Sequence, residues 1–256
     1  MKKKKTTKII LSVSLTVAVL AAAIGVYSHK TAIEKYKNEI SLPNNFTLTA
    51  HTGCMNTKEN SLDSIAEGAK FCEIVEFDLH FNKNLTAVLA HDEPSGNEVT
   101  LDEAFSFVSE IKDISVNVDI KSTANLSEIK KTADKYSLEN RFFLTGVNEE
   151  FLGEVKKECS DIKYYLNVEV DKAKRKDKEY LLSLVEKVKE AGAIGINFNK
   201  KSASKELVEI FHENGLLVSI WTVNSEKEIL KIASYGPDNI TTRNPEKARE
   251  LLKEYI

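Results

Sequence analysis

Two histidines close short apolar runs and each opens a polar loop: His51 in "LTAHTG" and His91 in "LTAVLAHDE". Histidine changes charge near neutral pH and can accept or return a proton during a reaction, although a lone histidine at a strand end commonly serves structure alone. The segment "VEFDL" sets Glu76 and Asp78 two residues apart, and "VNVDIK" does the same for Asp119 and Lys121. In an extended chain, side chains two apart share a face. Carboxylates that share a buried face need a cation, and three oxygen ligands with no cysteine suit Ca²⁺ or Mg²⁺ better than zinc. On an exposed face, lysines would serve as their partners instead. Two histidines, a carboxylate set and a lysine together suggest phosphodiester cleavage, which needs neutralised phosphoryl charge and two proton transfers.

These residues gather at one place only if the fold brings strand ends together. From Phe46 onward, eight β-branched or aromatic runs alternate with eight amphipathic segments: "FTLTAH", "EIVEFDLHF", "SVNVDIK", "RFFLTGV", "DIKYYLNVEV", "AIGINFN", "LLVSIWTV" and "DNITTR" are the strand-like ones. Gly192, Gly215 and Gly236 stand where helix C-caps belong. The alternation predicts an α/β fold, a (β/α)8 TIM barrel, in which functional side chains sit at the C-terminal strand ends. His51, Glu76, Asp78, Asp119, Lys121 and Trp221 all take such positions. An open doubly wound sheet is the alternative, but no Gly-rich loop follows the first strand. A short additional strand, "LTAVLAH", leads to His91.

The chain of 256 residues is 42% hydrophobic with a formal net charge of -3, enough for one large core and without the basic footprint of a nucleic-acid binder. Cys54, Cys72 and Cys159 have no zinc-like spacing. Buried free thiols are expected, with a Cys54 to Cys72 disulfide the alternative in an exported protein. "MKKKKTTK" followed by 19 uncharged, mostly apolar residues at 9–27 reads as an export signal, long enough to span the roughly 30 Å apolar core of a membrane. Residues 1–28 are therefore expected to be a signal peptide or a retained signal anchor, 29–45 a stalk, and 46–256 the barrel. The barrel would lie outside the cell membrane, or be secreted if the segment is cleaved. His29, His80 and His212 need no functional account.

The stretch "AHTG....KENSLDSIAEGAKFCEIVEFDLHFNKNLTAVLAHDE", with "VDIK", "VSIWTVN" and "DNITTRNP", resembles the signatures of the glycerophosphodiester phosphodiesterase family from Phe46 to about Glu250. The resemblance implies that His51 and His91 are the acid/base pair and that Glu76, Asp78 and Asp119 bind a divalent metal. Lys121 and Trp221 would contact substrate, as would position 52, where Thr52 replaces the family's arginine. Glu59 and Asn60 match a motif that could serve either the loop or the site. Asp119 stands for a family glutamate and Arg243 for its closing aspartate. The short loop "DEPSGNEV" after His91 implies an open mouth.

The implied reaction is metal-dependent hydrolysis of glycerophosphodiesters to glycerol phosphate and an alcohol. The partners would be a small-molecule or lipid phosphodiester and, through the N-terminal segment, a membrane. Two alternatives are a phospholipase C- or D-like enzyme acting on (lyso)phospholipids, and a barrel that only binds a phosphorylated ligand.

Overall fold

In the computed structural model, the described residues are 27, 28 and 30–256; the expected signal or anchor segment lies outside them save for its last two residues. Among the described residues no helix is long and apolar enough to cross a membrane. Residues 30–39 are helical and lead through a short extended stretch into the barrel.

Nine strands form one sheet: β1 (Thr47–Ala50), β2 (Ile74–Phe81), β3 (Ala87–Leu89), β4 (Ser115–Ile120), β5 (Phe142–Val147), β6 (Tyr164–Asn167), β7 (Gly195–Asn199), β8 (Leu217–Trp221) and β9 (Asn239–Thr242). All but β3 are parallel, and pairing of β1 with both β9 and β2 closes the ring. The result is an eight-stranded parallel barrel, and closure excludes the open doubly wound sheet. The additional strand forms as β3, shorter than its sequence run, and pairs antiparallel with β2 through Leu79 opposite Leu89.

Eight helices follow the strands: α1 (Leu62–Gly68), α2 (Leu101–Ser109), α3 (Ser127–Lys135), α4 (Leu152–Glu158), α5 (Lys178–Ala191), α6 (Lys205–Glu213), α7 (Glu226–Ala233) and α8 (Pro245–Leu252). Their starts are chemically marked. Ser61, Asp177 and Ser204 cap α1, α5 and α6, and reciprocal capping boxes, Thr100 with Glu103 and Ser225 with Glu228, open α2 and α7. The expected glycines stand just past α5, α6 and α7, each with a positive φ.

The strands bury different chemistry on their two sides. Leu48, Phe77, Val116, Val118, Ile196, Phe198, Val218, Ile220 and Ile240 are fully or almost fully buried and share the parity that faces the helices. Around Phe77, the rings of Phe105 and Phe142 continue this core at 6.2 and 5.8 Å. The opposite parity, facing the barrel axis, carries Thr49, Glu76, Asn117, Thr145, Asn197, Ser219, Asn239 and Thr241, all buried polar residues. Buried polar groups must be hydrogen-bonded, and here they bond across strands. The Asn239 amide donates to Thr47 and Thr49 Oγ1 while its carbonyl accepts from Ser219, and Asn197 donates to Asn167.

Cys54, Cys72 and Cys159 are free and buried, so the disulfide alternative does not occur. Burial raises all three thiol pKa values, that of Cys159 to about 12.

Candidate active site

The polar interior opens at the C-terminal strand ends into a cavity of about 410 Å³ lined by His51, Glu76, Asp78, His91, Asp119, Lys121 and Trp221, together with Glu59 and Arg243. Seven of the eight sequence-predicted site residues therefore meet in one place. Thr52 does not join them. Its side chain is buried, its Oγ1 accepts from the Asn60 backbone N–H at 2.5 Å, and its own N–H donates to Glu76 Oε2 at 2.7 Å. Thr52 acts beneath the cavity, holding the loop and the carboxylate, and offers no side-chain contact to substrate.

Ligand oxygens of Glu76, Asp78 and Asp119 lie within 4.8 Å of one another. One ion bound at roughly 2.4 Å to each ligand can bridge oxygens up to about 4.8 Å apart, so the set fits a single hard divalent cation. The register explains the cluster: Asp78 on β2 pairs with Asp119 on β4, and Glu76 lies one inward position below. Burial, then the neighbouring Asp78 and Asp119 carboxylates, push the Glu76 pKa well up. A cation at this point would reverse that penalty. Lys121 supplies part of it, with Nζ 3.0 Å from Asp78 and 2.8 Å from Asp119. Burial alone would lower the Lys121 pKa, but the two carboxylates raise it overall, so the lysine stays charged. With all three carboxylates ionised and Lys121 protonated, the cluster carries two net negative charges, which a divalent ion balances.

Further contacts fix the carboxylates. Asn60 Nδ2 donates to Asp78 Oδ2 and Asn60 Oδ1 accepts from the Asp78 N–H, both at 2.9 Å. Thr145 donates to Asp119 at 3.1 Å. Gly146 next to it has φ +74, and a Cβ there would meet Ile120 O at 2.3 Å and Asp119 Oδ1 at 2.6 Å. Only glycine lets β5 pass this close to the carboxylate.

His51 follows β1 directly. Its Nδ1 lies 2.9 Å from Thr52 O, which can only accept, so the proton sits on Nδ1 and Nε2 keeps a lone pair. The Arg243 Nε at 3.4 Å from Nδ1 is then a close approach of two donors, without a hydrogen bond between them. Burial lowers the His51 pKa, and the Arg243 charge adds to the effect. The neutral ring suits it to accept a proton. His91 stands at the rim with its side chain 62% exposed and Nδ1 2.9 Å from Asp92. Trp221 closes another side; among the described residues its buried indole N–H has no acceptor and the buried Asn197 Oδ1 has no donor. Beyond Trp221, Asn167 and Asn197 a second compartment of about 840 Å³ continues between the ends of β6, β7 and β8.

His80 stays out of the cavity lining, with Nδ1 on Phe81 O at 3.0 Å. His212 is exposed on α6, and its Nε2 meets Asp238 at 2.8 Å. Sequence reasoning did not single out Asn117, Thr145, Asn167, Asn197 and Thr241, which also line the cavity. Their signal was a polar residue at alternate positions of otherwise apolar strands.

A closed parallel barrel with a carboxylate cluster and a neutral histidine at its strand ends belongs to the class of metal-competent (β/α)8 barrels. The profile of the Glycerophosphoryl diester phosphodiesterase family matches residues 94–247, more than half of the chain. A glycerophosphodiester phosphodiesterase of Caldanaerobacter subterraneus subsp. tengcongensis is 26% identical over 235 residues, covering 88% of this chain and 90% of the relative. Among solved structures, a glycerophosphodiester phosphodiesterase of Parabacteroides distasonis superposes with a TM-score of 0.66 at 18% identity, covering 82% of this chain and 98% of the other. A phosphodiesterase of Oleispira antarctica, solved with the product sn-glycerol-3-phosphate, superposes with a TM-score of 0.64 at 16% identity, covering 85% and 99%. The chain belongs to the glycerophosphoryl diester phosphodiesterase family.

Proposed function

We propose that the protein hydrolyses glycerophosphodiesters to glycerol phosphate and an alcohol, with a divalent cation, Ca²⁺ or Mg²⁺, held by Glu76, Asp78 and Asp119. The observation that carries this reading is the meeting of those three carboxylates, Lys121 and a neutral His51 in one cavity. When bound, the cation would supply Lewis-acid neutralisation of phosphoryl charge. Lys121, fixed between Asp78 and Asp119, adds a charged donor beside the phosphoryl group. His51 Nε2 accepts the proton of the attacking hydroxyl, whether water or a neighbouring substrate hydroxyl, while its Nδ1–H stays on Thr52 O. His91, oriented by Asp92, returns a proton to the leaving alkoxide from the rim. Trp221 and Asn197 line the cavity and shape the place of the substrate's alcohol.

The reading extends to location. The basic run and the apolar residues 9–27 support a barrel held on the outer side of a membrane, or released from it after cleavage. It also supports the division into 1–28, 29–45 and 46–256.

A second reading, a phospholipase C- or D-like activity on (lyso)phospholipids, is favoured by the roomy compartment beyond Trp221. Product analysis of the full chain on glycerophosphocholine and on lysophosphatidylcholine, with Ca²⁺, Mg²⁺ or EDTA, separates the two. Metal-dependent release of glycerol phosphate that is lost in His51→Ala supports the first. Turnover of lysophospholipid alone supports the second, and binding of phosphate without turnover of either points to a barrel that only binds.

A further inference from the structure

The cavity has to receive an anion, yet its wall is acidic. Glu59, Glu76, Asp78 and Asp119 face two permanently charged cations among the described lining residues, Lys121 and Arg243. Lys121 is already committed to two carboxylates. Arg243 is not. We propose that Arg243, steadied by Glu59, grips the non-bridging phosphate oxygens of the substrate in a bidentate fashion; this rests on the phosphodiesterase reading of the same cavity.

The backbone of Arg243 is clamped from two loops. Its N–H donates to Asn224 Oδ1 at 2.9 Å, and its carbonyl accepts from Met55 N at 3.1 Å. The side chain extends from the end of β9 across to the flank of His51, where Nε stops 3.4 Å from Nδ1. Glu59 accepts one of the two Nη2 hydrogens at 2.5 Å, which leaves the other and both Nη1 hydrogens for an incoming anion. Gly53 makes room for this brace: a Cβ there would stand 2.6 Å from Glu59 Cγ. The pair is half exposed, 43% for Arg243 and 51% for Glu59, so it contributes little to stability. It does have a geometric effect. An unbraced guanidinium in this wall is free to turn toward the three carboxylates and compete with the cation; braced, it remains beside His51, where the attack has to occur. Position 52 offers no cation on that flank, since Thr52 is buried and bonded to Asn60. A planar guanidinium presents paired donors that match two phosphate oxygens, which an ammonium does not.

The test uses the full chain with Ca²⁺ or Mg²⁺ present and compares wild type with Arg243→Gln, Arg243→Lys and Glu59→Gln. The probes are inorganic phosphate and sn-glycerol-3-phosphate, with affinities read by calorimetry, and KM and kcat read on glycerophosphocholine. Arg243→Gln is expected to weaken both anions at least tenfold and to raise KM in step, with calcium affinity and melting temperature close to wild type. Arg243→Lys should lose at least threefold, and Glu59→Gln about threefold, because the fork or its brace is lost while charge remains. Anion affinity within twofold of wild type in Arg243→Gln overturns the proposal. If Arg243→Gln does not fold, unchanged affinity in Arg243→Lys overturns the bidentate grip. Failure of the wild type to turn over any glycerophosphodiester would count against the enzyme reading alone; the anion affinities still decide the role of Arg243.

Discussion

Replacing Asn60 with alanine removes both ends of the clamp on Asp78. One bond runs from a backbone N–H and is worth about 1 kcal/mol; the other runs to a carboxylate and is worth roughly 1.5–3 kcal/mol. Asp78 is 3% exposed, so water does not replace either partner easily. Asn60 also has φ +54, a left-handed conformation that asparagine tolerates and alanine resists by about 1 kcal/mol. Asn60→Ala is therefore expected to lose about 4 kcal/mol, or roughly 10 °C in melting temperature at ~2–4 °C per kcal/mol for a domain of this size. Asn60→Gly keeps the backbone conformation and loses about 3 kcal/mol from the bonds. Because the same clamp orients a carboxylate of the proposed metal site, calcium affinity should fall between about tenfold and a hundredfold in both variants. Thermal melts with EDTA give the structural cost, and calcium calorimetry gives the orienting effect. An Asn60→Ala protein that melts within about 2 °C of wild type and binds calcium normally would refute the clamp.

Glu76→Gln should strengthen the metal-free protein at pH 8 and abolish the rise in melting temperature that saturating Ca²⁺ or Mg²⁺ gives the wild type, about 2.7 kcal/mol at a hundred times Kd. Because the folded pKa of Glu76 is raised, the folded state holds its proton to higher pH than the unfolded chain. Wild-type stability in EDTA should accordingly fall as pH climbs above the ordinary 4.5, and the Gln variant should not show that fall. Glu98 has the opposite sign: bonds from Ser95 hold its pKa at about 2, so its contribution is present above 4.5 and is lost as pH falls toward 2. Urea titrations of Glu98→Gln against wild type across that window should converge at the acid end. Gly146→Ala should destabilise by about 3 kcal/mol or more and displace Asp119, read as lost metal affinity, since the clash is with backbone. A thiol reagent should label Cys54, Cys72 and Cys159 only after unfolding, three equivalents appearing together in denaturant.

The barrel was legible because its signals are local. β-Branched runs, capping residues and C-cap glycines each act within a few positions, and their alternation leaves few topologies. Glu76, Asp78, Asp119 and Lys121 were legible for the same reason, since strand parity alone puts them on one side. Residues beyond a strand end escape parity. Thr52 is one step past His51, yet its hydroxyl turns down to Asn60, eight residues away. Arg243 turns into the cavity because Met55 and Asn224 fix its backbone, contacts that no spacing reveals. His212 finds Asp238 across 26 residues.

The polar barrel interior connects these observations. An apolar interior would pack well but give the carboxylates nothing to bond, and three acids at the strand ends would stand over a low-dielectric column that raises every one of their pKa values. Here Thr145 bonds Asn117 and Asp119, Asn167 takes the Gly146 N–H and the Asn197 amide, and Asn239 ties β9 to β1. Each amide is held by a neighbour on the next strand, so the column is rigid where the site needs fixed ligands. Glu76 remains the exception. It is the deepest of the three acids and sits between this column and the cavity, with the Thr52 N–H on one oxygen and two carboxylates above it. The fold bonds most of the column's polar groups by itself, and a cation at the proposed site would balance that remaining charge.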